Sequence, residues 1–386
     1  MSENVNEYDA SHITVLEGVE AIRKRPGMFV GSTSARGLHH AVFEVVDRAV
    51  NEVLAGRASA VDVTLTSDGG VRVADDGPGV PVEAIGDPDG PGLETLLTDM
   101  CVGREPVGRD TVAVGLASVG PCVTNALSSR LTAEVRRDGA HWVQEYTCGV
   151  AVGPPTVVGA ASGSGTTITF WPDADIFETV ECSFAVLAER FRELAFLNRS
   201  LDISLTDARP PGEPRSERFL GEVRDFVAFL DSSAGTPVHP EVIGFGWEDL
   251  RTAGTAEVAL RWGTSREEQI RSFANSAPTP YGGTHLVGFR DGAAAAVSAY
   301  ARRRRLLAEA DSDLSADQVA AGLTAVVSVK LDQPEFEGAT RGILGNSLVR
   351  TSVDEAVQEH LGRWLEEHPE QAVAIIDRIV TDADRS

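Results

Sequence analysis

GLHHAVFEVVDRAVNEVLAG, Gly37 to Gly56, reads as a long amphipathic helix. Apolar residues at Leu38, Val42, Val45, Val46, Ala49, Val50, Val53 and Leu54 follow a 3.6-residue period. Gly56 supplies a stop. His40, Glu44 and Arg48 recur every four residues, with Asn51 and Glu52 one turn on, so a polar stripe shares one face. A carboxylate one turn from a histidine suits a general base oriented by its neighbour. The same stripe also suits the solvated outer face of an amphipathic helix. The helix alone does not decide between the two.

Further along, VRVADDGPGVP, Val71 to Pro81, is a short strand running into two acids and two glycines. Asp75, at the strand end, is a pure acceptor when ionised and suits the exocyclic amino group of adenine. Gly77 and Gly79 permit positive φ and close backbone approach beside a planar ligand. An Asp-Gly turn between strands is equally ordinary. VGLASVGPCVTNALS, Val114 to Ser128, places Gly115 and Gly120 before the helical run Val123–Leu127. A glycine-rich loop opening a helix aims N–H groups at an anion, though the ending of a Walker A loop is missing. GSGTTITFWPD, Gly163 to Asp173, puts the Thr166 hydroxyl at the start of a strand, where it completes an adenine-binding set or is simply part of a turn.

The 386 residues suffice for two domains. Strand-like runs occur at Val61–Leu65, Val71–Val73, Thr166–Phe170, Val258–Trp262 and Thr324–Lys330, and helical patterns at Leu220–Leu230 and from Leu348 to Asp384. DARPPGEPRSE, Asp207 to Glu217, breaks both patterns and reads as a linker or hairpin between domains. Both halves are therefore α/β with mixed strands. No apolar run of about 18 residues is present, so no membrane helix is expected. The polar, acidic N-terminus is not a secretory signal. The four cysteines, Cys101, Cys122, Cys148 and Cys182, form no CxxC pair, which points to structural thiols in a reducing compartment. A formal charge of −24 argues against general duplex binding, which depends on neutralising phosphates. Any DNA contact needs a local basic patch; Arg290 and Arg302–Arg305 are the candidates, and a solvated helix end is the plainer account of the arginine run.

Taken in order, these elements resemble the ATPase superfamily shared by gyrase B subunits, heat-shock chaperones, mismatch-repair ATPases and histidine kinases. VLEGVEAIRKRPGMFVGST, Val15 to Thr33, and GGTHLVGFR, Gly282 to Arg290, narrow the resemblance to the B subunits of gyrase and related type IIA topoisomerases. FLNRSLDISLTD and LTAVVSVK match as well, and the similarity runs from about Tyr8 to Ala383. The resemblance implies an α/β (α+β) fold. Residues 1–216 are expected to form a GHKL-type ATP-binding domain, a two-layer Bergerat-type sandwich with a mixed sheet and an N-terminal dimerisation arm. Residues 217–386 are expected to form a ribosomal-S5-like transducer domain with a left-handed βαβ crossover, an exception to the usual hand. It further implies a cytoplasmic, ATP-dependent homodimer, a gyrase or topoisomerase partner subunit, and coupling of ATP binding and hydrolysis to DNA strand passage.

By the same resemblance, Glu44 matches the general base, His40 its support and Glu52 a further acid of the motif. Asp75 matches the adenine ligand, with Gly77, Gly79 and Thr166 around it and Pro81 and Arg137 at the rim. Gly115, Leu116, Val119 and Gly120 match the lid backbone around the triphosphate. Tyr8 matches the arm tyrosine that reaches the partner's nucleotide, and Arg341 stands where a lysine contacts the terminal phosphate.

The departures gather at the phosphate end. Arg48 replaces the asparagine that holds Mg²⁺, the metal the family implies, and a guanidinium has no acceptor with which to do so. At that position Arg48 is expected to contact phosphate directly. Ala117 and Ser118 alter the lid, and Thr111 stands for its lysine. The transducer triad reads Ala339, Thr340, Arg341, keeping charge but changing geometry. Pro78 replaces an arginine at the adenine rim. The chain also stops where the ATPase fragment of the family stops, so alone it is expected neither to cut nor to rejoin DNA. Three readings follow: a gyrase-B-type ATPase; a nucleotide-binding paralogue with weak or no ATPase acting as regulator, decoy or pathway-specific protein; or a non-topoisomerase enzyme that reuses the adenine pocket.

Overall fold

The computed structural model describes residues 18–83, 92–100, 120–231, 236–307, 312–338 and 342–383. The first body contains α1 (Gly18–Lys24), α2 (Gly27–Val30), α3 (Ala35–Leu54), β1 (Val61–Leu65), β2 (Val71–Asp75), α4 (Leu93–Thr98), α5 (Pro121–Ala126), β3 (Ser128–Arg137), β4 (Ala140–Thr147), β5 (Val150–Ala151), β6 (Thr156–Ala160), β7 (Gly165–Pro172), α6 (Phe184–Leu197), β8 (Ile203–Asp207) and β9 (Arg215–Phe219). Its strands make one sheet in the order β5-β4-β3-β7-β2-β1-β8-β9, with β6 on β4. All pairs are antiparallel except β1 with β8, so the sheet is mixed.

The apolar stripe of α3 explains its place. Leu38, Val42, Val46, Val50 and Val53 are buried against Val61, Val63, Leu65, Val71 and Val73 of β1 and β2 and against Ile168 and Phe170 of β7. Each such side chain stabilises the body by about 1.5–3 kcal/mol relative to exposure. The proline-rich stretch after Asp207 turns between β8 and β9, which pair in register from Ile203↔Phe219 to Asp207↔Arg215. It is a hairpin inside the first sheet, and the chain passes to the second body between Phe219 and Val223.

The second body contains α7 (Val223–Asp231), β10 (Ile243–Asp249), β11 (Gly254–Trp262), β12 (Gln269–Ala274), β13 (Ala277–Pro278), α8 (Thr284–Arg303), α9 (Ala316–Ala320), β14 (Leu323–Leu331), β15 (Phe336–Glu337), β16 (Ile343–Leu344), α10 (Ser347–Glu367) and α11 (Pro369–Ala383). Its main sheet runs β10-β11-β14-β12-β13. Only β12 and β14 are parallel, and the chain between them includes α8 and α9. Trp262, Phe289, Tyr300 and Val327 share one core with Val353, Leu361 and Ile376 of the last two helices.

A smaller cluster spans the two bodies. Phe196 and Leu197 of α6 pack with Val223, Phe226 and Val227 of α7 and with Ala259, Phe273 and Val326 of the second sheet. Polar contacts run beside it. Asn198 Nδ2 donates to Ser276 Oγ at 3.1 Å, Lys330 Nζ to Asn198 Oδ1 at 2.8 Å and Arg190 Nη2 to the Ser276 carbonyl at 3.0 Å. Asn275 and Ser276 sit in left-handed conformations, φ 47° and 60°. That turn is tied to β14 by Asn275 Nδ2 donating to the Leu331 carbonyl and the Leu331 amide donating to Asn275 Oδ1.

Candidate functional site

The site is assembled where α3 crosses the sheet beside β2 and β7. Asp75 closes β2, and antiparallel pairing sets it directly opposite Thr166 on β7. Behind the strand the two acids of the turn divide their work. Asp76 takes the Ser59 amide at 2.7 Å and the Ala60 amide at 3.0 Å, so it secures the entry to β1. Asp75 points inward, and its Oδ1 accepts from the Gly77 amide at 3.0 Å. A Cβ on Gly77 would stand 2.9 Å from that same oxygen. Gly79 has φ +81°, and a Cβ there would stand 2.7 Å from the Arg136 carbonyl. Glycine is therefore required at Gly79 for conformation and at Gly77 for space. The Gly79 carbonyl accepts from Arg137 Nη1 at 2.8 Å. Pro81 is buried, and its carbonyl accepts from the Leu93 amide at 2.8 Å.

Glu44 is buried on the α3 face that meets α5. Its Oε2 accepts from the Gly120 amide at 3.0 Å. Burial first, and then the Asp47 carboxylate three residues on, push the Glu44 carboxyl up to about 8, against the opposing pull of the Gly120 hydrogen bond. A carboxyl so placed exchanges a proton near neutral pH, as general acid–base work requires. His40 is half-buried and lies edge-on to Phe43 with centroids 6.2 Å apart. Burial, with Arg36, His39 and Arg190 nearby, holds its imidazole below the ordinary range, which favours the neutral form. Among the described residues the hydrogen bond to Glu44 comes from Gly120 and not from His40.

Arg48 departs from the sequence expectation. Its guanidinium is directed to the end of the site assigned to adenine. Nη1 donates to Asp75 Oδ2 at 2.5 Å, and Nη2 donates to Thr166 Oγ1 at 3.1 Å. Thr166 Oγ1 also accepts from the Val80 amide at 3.0 Å. Glu52 Oε1 lies 3.9 Å from Arg48 Nη2, while Glu52 Oε2 accepts from Arg57 Nε at 2.8 Å. The physical reason is charge. Asp75 is fully enclosed, and a buried carboxylate draws a long cationic side chain within reach. Sequence reading placed Arg48 at one end and Asp75 with Thr166 at the other; strand register and the reach of an arginine join them. The signal for Gly120 was present in the glycine-led helix start, but its bond to Glu44 was not legible. Tyr8, Thr111, Gly115, Leu116, Ala117, Ser118, Val119, Ala339, Thr340 and Arg341 lie outside the described residues.

The donor set does not fit Mg²⁺ in the manner the resemblance implies. Where the resemblance implies an amide oxygen stands a guanidinium committed to Asp75 and Thr166. No cluster of three or more His, Cys, Asp or Glu side chains suited to a metal occurs among the described residues. In the arginine run, Arg302, Arg303 and Arg304 carry acidic partners. Arg302 pairs with Asp313 at 2.6 Å, Arg303 and Arg304 both pair with Glu366 at 2.9 Å, and Arg290 pairs with Glu268 and Asp317. Among the described residues no helix is long and apolar enough to cross a membrane.

A family model described as histidine kinase-, DNA gyrase B- and HSP90-like ATPase matches residues 33–176, and one described as DNA gyrase B matches residues 222–386. The structure of the 43K ATPase domain of Thermus thermophilus gyrase B, solved with an aminocoumarin, is 32% identical with a TM-score of 0.78, covering 95% of this chain and 94% of that one. The chain belongs to the DNA gyrase B family. The DNA gyrase B protein of Streptomyces coelicolor is 46% identical across 96% of the chain and 56% of that protein. The gyrase B protein of Micrococcus luteus is 42% identical across 97% and 57%. The chain thus spans a little over half the length of these gyrase B relatives, and its two matched segments fall one in each body of the fold.

Proposed function

We propose that this gyrase B family chain binds ATP between α3 and the first sheet and hydrolyses it with Glu44 as the base. The observation that carries the reading is the position of Glu44. It is a buried carboxyl tuned to about 8 that accepts from the Gly120 amide, and it sits on α3, whose next turn carries Arg48 to Asp75 and Thr166. In this mechanism Glu44 takes a proton from the water that attacks the terminal phosphorus, and the bond from that phosphorus to the bridging oxygen of ADP breaks. Positioning and fixed charge supply most of the catalysis in such a transfer. Gly77 and Gly79 keep the wall beside Asp75 thin enough for a planar base. Arg48 supplies no ligand for Mg²⁺, so no step here is routed through that side chain.

By the same reading the first body, through Phe219, acts as the ATP-binding domain and the second, from Val223, as the transducer, with the crossing a few residues beyond the expected boundary at 216. The working unit is an ATP-dependent homodimer that operates with a topoisomerase partner subunit on DNA. Support comes from family membership and from the α6–α7 junction, which connects the nucleotide side to the second body. The test is calorimetric binding of the non-hydrolysable analogue AMPPNP together with steady-state ATP hydrolysis. Glu44→Gln is expected to bind AMPPNP like the wild type and to lose about 10²–10⁴-fold in turnover. Absence of AMPPNP binding by both proteins would overturn the proposal.

A further inference from the structure

Of the acceptors that suit an adenine amino group, Asp75 Oδ2 and Thr166 Oγ1 already accept from this chain's own cation. We propose that Arg48 is a specificity-determining residue of the site: its guanidinium occupies the base subsite, so a nucleotide base seats only by displacing it. This rests on the ATP-binding reading above and goes further, naming the residue that sets how strongly the base is read.

Four observations carry the inference. Asp75 has two carboxylate oxygens, and both are engaged, Oδ1 by the Gly77 amide and Oδ2 by Arg48. Thr166 Oγ1 accepts twice, from Val80 and from Arg48, so its own proton is the group it still has to offer. The Asp75 side chain is 0% exposed and the Arg48 side chain 12% exposed, so the cation covers the carboxylate from the side on which α3 faces it. The plug is also held from behind, because Glu52 sits 3.9 Å from the guanidinium and is itself fixed by Arg57.

An adenine amino group cannot share Asp75 Oδ2 with a guanidinium in the same place. It must replace a bond charged on both sides with one in which only the carboxylate is charged, which is weaker. The phosphate-binding parts of a nucleotide meet no such competitor at Asp75. The base therefore contributes little to affinity while Arg48 is present, and much once it is shortened to a side chain that does not reach Asp75 as a cation.

The experiment titrates AMPPNP and inorganic tripolyphosphate by calorimetry into the wild type and into Arg48→Asn, each first shown to be folded by cooperative thermal melting. In the wild type AMPPNP is expected to bind less than tenfold tighter than tripolyphosphate. In Arg48→Asn AMPPNP is expected to bind at least tenfold tighter than it does to the wild type. A wild-type preference for AMPPNP of tenfold or more overturns the inference and uses only the unaltered protein, so it holds even if the variant fails to fold. A folded Arg48→Asn that gains less than tenfold also overturns it. Failure of both proteins to bind AMPPNP overturns the ATP-binding reading and the inference together, whereas tight wild-type binding overturns the inference alone.

Discussion

The Gly120 amide donates to Glu44 Oε2 at 3.0 Å, which ties the first residue described after the glycine-rich loop to the buried carboxyl on the polar stripe of α3. Because burial outweighs this bond, Glu44 holds its proton to about 8. The protonated form is thus the resting form at neutral pH.

Turnover is expected to rise with pH through about 8 as Glu44 ionises. Stability runs the other way. The folded state binds the Glu44 proton more tightly than the unfolded chain does, so this group's contribution is complete below its ordinary value of 4.5 and is lost as pH climbs to about 8. The loss is on the order of a few kcal/mol. Denaturant titrations at several pH values should show a shallower decline for Glu44→Gln than for the wild type; equal slopes would remove Glu44 as the cause.

Asp75→Ala leaves the half-buried Arg48 cation without its carboxylate. It is expected to cost about 3–5 kcal/mol, the usual penalty for breaking one side of a buried pair. Removing both charges in Arg48→Ala/Asp75→Ala should cost less than the sum of the single changes. A double-mutant cycle by chemical denaturation measures the difference, and additive costs would mean that the pair is not formed in solution.

Gly165 precedes Thr166 with φ +147°, and a Cβ there would lie 2.3 Å from the Asp75 carbonyl. Gly165→Ala is expected to destabilise by about 1–3 kcal/mol through backbone strain. The same change should shift Thr166 away from Asp75, since the two are register partners. A lowered melting temperature checks the first effect, and a crystal structure of the variant checks the second.

Phe226 contacts Phe196 and Phe273 with ring centroids 5.4 Å and 5.8 Å away, so it bridges α6 to the second sheet. Phe226→Ala is expected to cost about 3–5 kcal/mol. Two separated unfolding transitions in calorimetry, in place of one, would show that this cluster couples the bodies.

Much of the fold could be read from periodicity. The stripe from Leu38 to Leu54 is the buried face of α3, and Val61–Leu65 is β1 residue for residue. The helical pattern beginning at Leu348 is two helices, because Pro369 cannot continue the first. Asp75, Gly79 and Thr166 each carried only an ordinary turn or strand-start signature, and the resemblance grouped them; the register of β2 with β7 sets Asp75 opposite Thr166. Arg48 carried no local signature of its contacts. Its partners lie 27 and 118 residues away, and only the pairing of β2 with β7 brings them within one guanidinium's reach. The partners of the arginine run were hidden for a related reason: Arg303 and Arg304 both meet Glu366, 62 residues or more further on.

The turn at Asn275 and Ser276 makes α6 a shared beam. Its C-terminal end is bolted to β14 through Asn198, Ser276 and Lys330, while its apolar face belongs to the first body's core. Any swing of the second body must therefore drag α6 with it. What reaches α6 reaches the nucleotide side as well, because its Leu187, Phe191 and Leu194 lie in the same core as Val42 and Val46 of α3.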